Sequence, residues 1–159
     1  TLARLTVAGA AAVLLAAAVP VLRIQGGSMA PTLESGQVVV CTRLGPIEPG
    51  DIAAFYYQNK ILIKRVAADG GRWVDIAEDG TVLVDGVPAA EPEGVTPARG
   101  SCTAELPCQV PEGQWFVLGD DRASSADSRD AAVGCVEKDR LIGKVILRLW
   151  PLDRLKWLG

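Results

Sequence analysis

The chain has 159 residues and a formal charge of −3, and hydrophobic residues make up 49% of it. This length predicts one domain, and the hydrophobic content excludes a disordered chain. A slightly acidic charge without a basic run makes nucleic acid a poor partner. The absence of histidine excludes a Ser-His-Asp triad, a Cys-His dyad and the usual histidine-based zinc site. Any acid–base catalysis near neutral pH must therefore use a lysine, carboxylate or cysteine whose pKa is shifted.

An apolar run precedes the rest of the chain. Leu5 to Leu22 carries no charge and lies between two arginines. As a helix with a rise of about 1.5 Å per residue it would reach about 27 Å, close to the thickness of a bilayer's hydrocarbon core. A cleavable signal peptide is the alternative, because an Ala-Ala-Ala segment within the run resembles a cleavage site. The run is longer than a usual signal-peptide core, so we predict that residues 1–23 form a transmembrane anchor and residues 24–159 the domain outside the membrane.

From residue 37 onward the sequence predicts β-structure. Short segments rich in β-branched and aromatic residues alternate with Gly, Pro, Asn and Asp turns, which is typical of strands joined by hairpins. We therefore predict a mainly β domain with antiparallel strands. In chain order the predicted strands are Gln37–Thr42, Ile52–Tyr57, Ile61–Val66, Trp73–Ile76, Thr81–Val84, Gln114–Leu118 and Leu141–Trp150.

The segment 89–113 is rich in Pro, Glu and Gly and predicts an excursion on the surface. It contains Cys102 and Cys108, which bracket Thr-Ala-Glu-Leu-Pro. A disulfide would close this short loop in an oxidising compartment, and two reduced surface thiols are the alternative. Cys41 and Cys135 lie among apolar residues, as small buried side chains do. No two cysteines have Cys-x-x-Cys spacing, so we assign no metal to them.

Two residues are candidates for nucleophilic catalysis. Ser28 lies in Gly-Gly-Ser-Met-Ala-Pro-Thr-Leu, where the glycines leave its hydroxyl uncrowded; an ordinary linker between anchor and domain is the alternative. Without histidine, a serine nucleophile needs another base, and lysine is the known substitute. Lys64 fits best because it lies in the apolar strand Ile61–Val66, where burial would disfavour its charged form. A strand lysine that points to water is the alternative.

A polar loop supplies the third candidate element. It reads Gly-Asp-Asp-Arg-Ala-Ser-Ser-Ala-Asp-Ser-Arg from residue 119. Ser125 would hydrogen-bond the Lys64 amine and fix its direction, and Asp127 would pair with Arg129 to hold the loop in shape. A calcium loop is one alternative, but the interposed arginines and the lack of carboxylates at alternate positions argue against it. A solvated turn is the other.

Together these segments resemble bacterial type I signal peptidase (leader peptidase), the membrane-anchored serine endopeptidase with a Ser/Lys dyad. The resemblance rests on Ser-Met-x-Pro-Thr-Leu at 28–33, Pro-Gly-Asp-Ile at 49–52, Lys-Arg-Val at 64–66, Gly-Asp-x-Arg…Ser-x-Asp-Ser-Arg at 119–129 and Ile-Gly-Lys at 142–144. These motifs occur in the family's order and span most of the chain. The resemblance implies one N-terminal transmembrane helix followed by an antiparallel β domain with a small inserted β region, for which residues 73–113 are the candidate.

The resemblance also implies roles for the site residues. Ser28 would be the nucleophile and its backbone N–H an oxyanion donor, and Lys64 would be the general base. Ser125 would position the lysine, and Asp127 and Arg129 would support the site. Some relatives carry a hydroxyl two residues before the nucleophile. Here that position is glycine, and the loss of one oxyanion donor typically costs about 10²–10³ in rate.

The implied substrates are secreted preproteins, cleaved after small residues of the Ala-x-Ala type on the extracytoplasmic side of the cell membrane. The lipid bilayer is the second expected partner, and we expect no cofactor and no metal. Residues that flank the dyad are expected to form the subsite walls, namely Ile24, Met29, Leu33, Leu62 and Ile63. One rival is a Ser/Lys autoprotease of the repressor-cleavage type, which would carry a DNA-binding segment instead of the apolar run. The other is a non-catalytic, membrane-tethered β module, in which Lys64 would stay charged.

Overall fold

The computed structural model describes residues 19–159. Most of the predicted transmembrane helix falls on residues 1–18, outside the described residues. Within the described part, no helix has the length and apolar character needed to cross a bilayer. The last three residues assigned to the anchor, Val21–Arg23, form a strand that pairs with Val38–Val40. The sheet domain therefore includes Val21, earlier than the predicted boundary after residue 23.

Strands dominate the described chain, and every strand pair within residues 19–159 is antiparallel. The prediction of a mainly β, antiparallel domain is confirmed. Two short 3₁₀ turns, Lys138–Arg140 and Leu152–Arg154, precede and follow the last long strand. The strands are β1 Val21–Arg23, β2 Val38–Thr42, β3 Ile52–Tyr57, β4 Lys60–Asp69, β5 Trp73–Ile76, β6 Val82–Val84, β7 Val87–Pro88, β8 Cys108–Gln109, β9 Gln114–Leu118, β10 Val136–Glu137, β11 Leu141–Trp150 and β12 Lys156–Trp157.

The strands form two sheets. The main sheet has the order β1-β2-β11-β3-β4-β9-β10, and β12 pairs with β11. The smaller sheet has the order β7-β6-β5-β8, and all of its strands lie within residues 73–113, the range predicted for an insertion. Below, residues 73–113 are called the inserted region and residues 119–130 the polar loop.

The core explains why the central strands are rich in small and branched apolar residues. Successive side chains of a strand point to opposite faces, and β3 is buried on both. Ile52 and Ala54 belong to one buried cluster, whereas Ala53 and Phe55 belong to another. A third cluster joins β9 of the main sheet to the inserted region. The main sheet is therefore packed on both faces, and this packing holds its strands in place.

Candidate active site

Two strand edges face a common groove. Residues 60–64 of β4 pair with β3 on one side, and β9 joins the other side only from Arg65 onward. Among the described strands, β1 pairs only with β2. Both free edges line a groove of about 730 Å³. Because β2, β11 and β3 separate β1 from β4 in the sheet, the sheet must curl to bring these edges face to face.

Ser28 and Lys64 meet at this groove. Lys64 Nζ lies 2.6 Å from Ser28 Oγ, within hydrogen-bond distance. Lys64, Val66 and Ala68 occupy the buried positions of β4, and the intervening residues are more exposed. Because side chains alternate between the two faces of a strand, the Lys64 side chain lies on the same buried face as those of Val66 and Ala68. Only 2% of Lys64 is exposed.

The surroundings of Lys64 favour its neutral form. Burial is the largest influence and lowers the pKa of the Lys64 amine below its ordinary value. The positive charge of Arg129 also lowers this pKa, whereas the carboxylates of Asp127 and Asp120 raise it. Since only the unprotonated amine can accept a proton, the fraction of competent base grows as pH rises through the lowered pKa.

A tight turn presents Ser28 to the groove. The Ala30 N–H donates to the Gly27 carbonyl at 2.9 Å, which closes the turn around the serine. On the other side, the Asp121 N–H donates to the Ser28 carbonyl at 3.1 Å. The backbone of the serine is therefore tied to the polar loop as well as to its own turn.

The polar loop is held by a buried ion pair. Arg129 Nε and Nη2 donate to the two carboxylate oxygens of Asp127 at 2.9 and 2.8 Å. Asp127 also accepts a hydrogen bond from the Gly119 N–H at 2.9 Å. Both side chains are almost completely buried. This two-point contact fixes the loop next to the amine of Lys64, on which both charges act.

Ser125 lies beside the dyad but does not make the predicted hydrogen bond to Lys64. Its side chain is buried, and its hydroxyl has no hydrogen-bond partner within residues 19–159. The Lys64 amine is directed to Ser28 instead. A Cβ at Gly119 would overlap Ser125 Oγ and lie 2.6 Å from the Ser28 carbonyl oxygen. Ser125 therefore borders the backbone of Ser28 and leaves an unused donor there.

A second charged network links the three site segments, and the sequence reasoning did not assign it. Arg65, the neighbour of the lysine, donates from Nε and Nη2 to the carboxylate of Asp120 at 2.9 and 2.6 Å. The Thr32 hydroxyl donates to the same carboxylate. The family motifs could have indicated this network, because Thr32, Arg65 and Asp120 all lie within the motifs quoted above. The network holds β4, the polar loop and the segment after Ser28 in one arrangement.

Four of the five residues expected to form subsite walls line the groove: Ile24, Met29, Leu62 and Ile63. Leu33 does not. It is fully buried in the cluster beneath Ile24 and Met29. The Leu33 N–H donates to the Met29 carbonyl at 2.8 Å, and this turn carries the side chain into the core instead of toward the groove.

The structure contains all four cysteines as free thiols. The predicted disulfide between Cys102 and Cys108 is therefore not formed in it, and Cys102 Sγ lies 3.8 Å from the Ala104 carbonyl oxygen. Cys41 is fully buried, as predicted, whereas Cys135 is partly exposed. Burial raises the pKa of each of these two thiols to about 11, which makes them poor nucleophiles near neutral pH.

An antiparallel sheet with a buried lysine against a serine, at the side of an open groove, defines a candidate peptidase of the serine class. Comparison with known proteins agrees. The family model described as "Signal peptidase, peptidase S26" matches residues 1–150. Signal peptidase IB of Staphylococcus aureus (strain MRSA252) is 32% identical over 154 residues, covering 84% of this chain and 79% of the relative. Signal peptidase I T of Bacillus subtilis (strain 168) is 29% identical over 146 residues, with coverage of 84% and 75%.

A solved structure shows the same fold. The crystal structure of a signal peptidase I from Enterococcus faecalis V583 superposes with a TM-score of 0.52 at 26% identity, covering 64% of this chain and 97% of that chain. The chain therefore belongs to the signal peptidase family S26. Proteins of this family are serine endopeptidases, and the resemblance noted from the motifs is confirmed.

Proposed function

We propose that this chain is a membrane-bound endopeptidase that removes signal peptides with a Ser28/Lys64 dyad. The observation that carries the proposal is the 2.6 Å distance between Lys64 Nζ and Ser28 Oγ. It is supported by the burial of the lysine, which keeps its pKa below the ordinary value. A nucleophile within hydrogen-bond reach of a neutral base is the arrangement that serine catalysis requires.

The reaction follows from these two groups. Lys64 accepts the hydroxyl proton as Ser28 Oγ bonds to the scissile carbonyl carbon, and the Ser28 backbone N–H stabilises the oxyanion. The C–N bond then breaks, and the lysine gives its proton to the leaving amine of the mature protein. Lys64 then takes a proton from water as the water oxygen bonds to the acyl carbon. The bond from that carbon to Ser28 Oγ breaks, Lys64 returns the proton to Ser28 Oγ, and the carboxyl end of the signal peptide is released. Ser125, with its free hydroxyl, would hold the amine in line between these steps, and the Asp127–Arg129 pair would keep Ser125 in place.

The groove favours an extended peptide as substrate. Each of its two strand edges, in β1 and β4, offers unpaired backbone N–H and C=O groups. A single extended chain laid between them would pair with both, which is the β-augmentation mode of peptide recognition. The scissile bond of such a chain would lie next to Ser28, because the serine lines the same groove.

The groove also supports the proposed preference for small residues. In an extended substrate, side chains one and three residues before the cut point to the same face, and the intervening side chain points to the other. We propose that the substrate side chains one and three residues before the cut face Ile24, Met29, Leu62 and Ile63. Ile24 and Met29 are themselves almost fully buried, so little depth remains below the substrate. Alanine at both positions fits such shallow subsites.

Substrate variants test this directly. The full chain in detergent micelles is incubated with a preprotein whose signal peptide ends in Ala-x-Ala, and the products are identified by mass spectrometry. We expect one cut, after the second alanine. Leucine in place of that alanine is expected to lower kcat/KM by about 100-fold or more, whereas leucine at the intervening position is expected to have little effect. Equal cleavage of the two leucine substrates contradicts the subsite proposal, and no cleavage of any preprotein contradicts the function.

The C-terminal end of the domain supports contact with the bilayer. Its exposed apolar side chains form what we call the C-terminal patch, and Arg154 and Lys156 are interspersed with them. Trp157 pairs with Leu147, Leu147 with Val40, and Val40 with Val21, so one row across four strands joins this patch to the point where the apolar run enters the sheet. Tryptophan next to basic residues is typical of a membrane interface. The patch consists of Leu149, Trp150, Leu152, Leu155 and Trp157.

Fluorescence in vesicles tests the membrane contact. We expect brominated lipids to quench Trp150 and Trp157 in single-tryptophan variants of the full chain, reconstituted in vesicles with anionic lipid, because these rings would insert at the headgroup level. Trp73 is the matched control, since its exposure is similar to that of Trp150 (50% against 53%) but it lies in the inserted region. Quenching of Trp73 as strong as that of Trp157 argues against the proposed orientation.

A further inference from the structure

The inserted region touches the polar loop through a shielded ion pair. Arg122, in the loop, donates from Nη1 to Glu91 Oε1 at 3.0 Å, and its Nη2 lies 2.7 Å from Glu91 Oε2. The side chains are 6% and 22% exposed, respectively. Within the described residues Glu91 Oε2 has no hydrogen-bond partner, so the contact consists of one hydrogen bond and a second close approach of opposite charges. Its shielding separates it from weak surface pairs.

The same arginine reaches the backbone beneath the dyad. Arg122 Nε donates to the Gly119 carbonyl at 3.0 Å. Ser125 Oγ and the Ser28 carbonyl oxygen lie so close to Gly119 that a Cβ on this residue would clash with both. Because packing here is tight, a displacement of Arg122 shifts the surface against which Ser125 and Ser28 rest.

A second contact binds the inserted region to the loop. Arg129 Nη1 donates to the carbonyls of Ala98 and Arg99 at 3.1 and 2.8 Å. At Gly100 a Cβ would lie 2.6 Å from the Arg122 carbonyl and 2.8 Å from Arg129 Nη1. The inserted region therefore approaches the loop so closely that only glycine fits between them.

We propose that Glu91 is a positioning residue for catalysis: through Arg122, it holds the polar loop where Ser125 and Asp127 face the Lys64 amine. This inference rests on the Ser28/Lys64 mechanism proposed above. Glu91 lies outside all the motifs that carry the family resemblance. The inserted region thus contributes to the active site of this chain, although none of its residues lines the groove at Ser28.

The consequence for Lys64 depends on the charges around it. The charged groups that act on its amine are Asp127, Arg129 and Asp120, all on the polar loop, and Asp120 is itself paired with Arg65 of β4. Asp127 and Arg129 form a bound pair whose charges act on this pKa in opposite directions. Burial remains the main influence on the amine. A loosened loop admits water, and the pKa of Lys64 then rises toward its ordinary value.

Variants of Glu91 test this role in the full chain in detergent micelles, with the Ala-x-Ala preprotein as substrate. For Glu91→Ala we expect kcat near neutral pH to fall about 10-fold, KM to change by less than about twofold, and the acid limb of kcat/KM to move to higher pH. Glu91→Gln keeps one acceptor for Arg122, so we expect a smaller change in the same direction. Glu93→Ala is the matched control, because Glu93 is exposed and lies two residues away.

A pair of glycine variants tests the second contact between the inserted region and the polar loop, the one at Gly100. Gly100 and Gly86 both lie in the inserted region with positive φ, +60° and +78°, and a Cβ meets the polar loop only at Gly100. Both alanine variants carry similar backbone strain. We expect Gly100→Ala to reproduce the shifted acid limb of Glu91→Ala, and Gly86→Ala to leave the limb in place.

The outcomes separate this inference from the mechanism beneath it. The reference is cleavage of the preprotein by the wild type, which Ser28→Ala is expected to abolish. If the wild type is inactive, the mechanism and the inference are both overturned. With an active wild type, equal kcat and pH profiles for Glu91→Ala and Glu93→Ala overturn the positioning role alone. A loss of kcat with an unmoved acid limb also overturns it, since a smaller folded fraction has that effect. If Glu91→Ala fails to fold, Glu91→Gln provides the same comparison with Glu93→Ala.

Discussion

Ser28→Ala and Lys64→Met are each expected to lower kcat for preprotein cleavage by about 10⁴-fold or more, and the double variant is expected to lose no more than either single one. In the proposed mechanism the two side chains, 2.6 Å apart, act as one unit, so removal of either leaves the other without a role. Methionine fills the buried site of the lysine without offering a base. Single-turnover cleavage of the preprotein measures the chemical step apart from product release.

The fold of these variants provides the control. In the folded chain burial lowers the pKa of Lys64 below 10.5, so between that lowered pKa and 10.5 the unfolded chain binds more protons. The free energy of unfolding therefore falls as pH falls from 10.5 to the lowered pKa. The Lys64→Met variant has no amine at this position and does not lose this stability. Its thermal midpoint is expected to equal or exceed that of the wild type at neutral pH. Lys138→Met, at an exposed position, is expected to retain full activity. Residual cleavage by Lys64→Met within about 10-fold of wild type contradicts its role as the base.

Arg129→Met is expected to lower the free energy of unfolding by about 3–5 kcal/mol, because it leaves the Asp127 carboxylate buried without its partner. Neither side chain is more than 1% exposed, so water cannot replace the guanidinium. The substitution also removes the donors that bind the inserted region to the polar loop. Urea denaturation of wild type and variant in the same detergent measures the difference.

An exposed ion pair provides the comparison for this variant. Arg72 and Asp85, neither of which belongs to the C-terminal patch, lie 2.8 Å apart with side chains that are 58% and 40% exposed. Arg72→Met is expected to cost far less than Arg129→Met, since solvent screens such pairs. Equal losses for the two variants would mean that the Asp127–Arg129 pair does not hold the loop, and the proposed support of Ser125 would fail with it.

The sequence predicted most of the longer strands well, because their signals are local, although β4 (Lys60–Asp69) extends beyond the predicted Ile61–Val66. β3, β5, β9 and β11 have the predicted bounds, and each alternates or runs apolar between turn residues. Among the strands of two or three residues only β6 was predicted, within Thr81–Val84. The others, such as Val87–Pro88, were missed because they are defined by their pairing and not by their composition. The burial of Lys64 was predicted for a local reason also, its place in an apolar strand.

Contacts between distant segments could not be predicted in the same way. Ser28 and Lys64 are 36 positions apart, and only the family's motifs linked them. Glu91 and Arg122, 31 positions apart, share no motif, so the sequence offered no signal for their pairing. Leu33 was assigned to the groove because it lies near Ser28 in the chain, but the turn from Met29 directs it into the core. Proximity along the chain is a poor guide wherever a turn intervenes.

The free edges of β1 and β4 have a consequence for which preproteins this enzyme accepts. Neighbouring strands lie about 4.8 Å apart, so one extended chain between two edges occupies a slot less than about 10 Å wide, whereas an α-helix with its side chains is about 10–12 Å across. A helical segment has already satisfied its own backbone groups and gains nothing from the slot. If the substrate binds as proposed, selection among secreted chains is expected to begin with main-chain conformation. Residues that end a signal peptide's helix just ahead of the cut, such as proline or glycine, are expected to raise cleavage rates without touching a subsite.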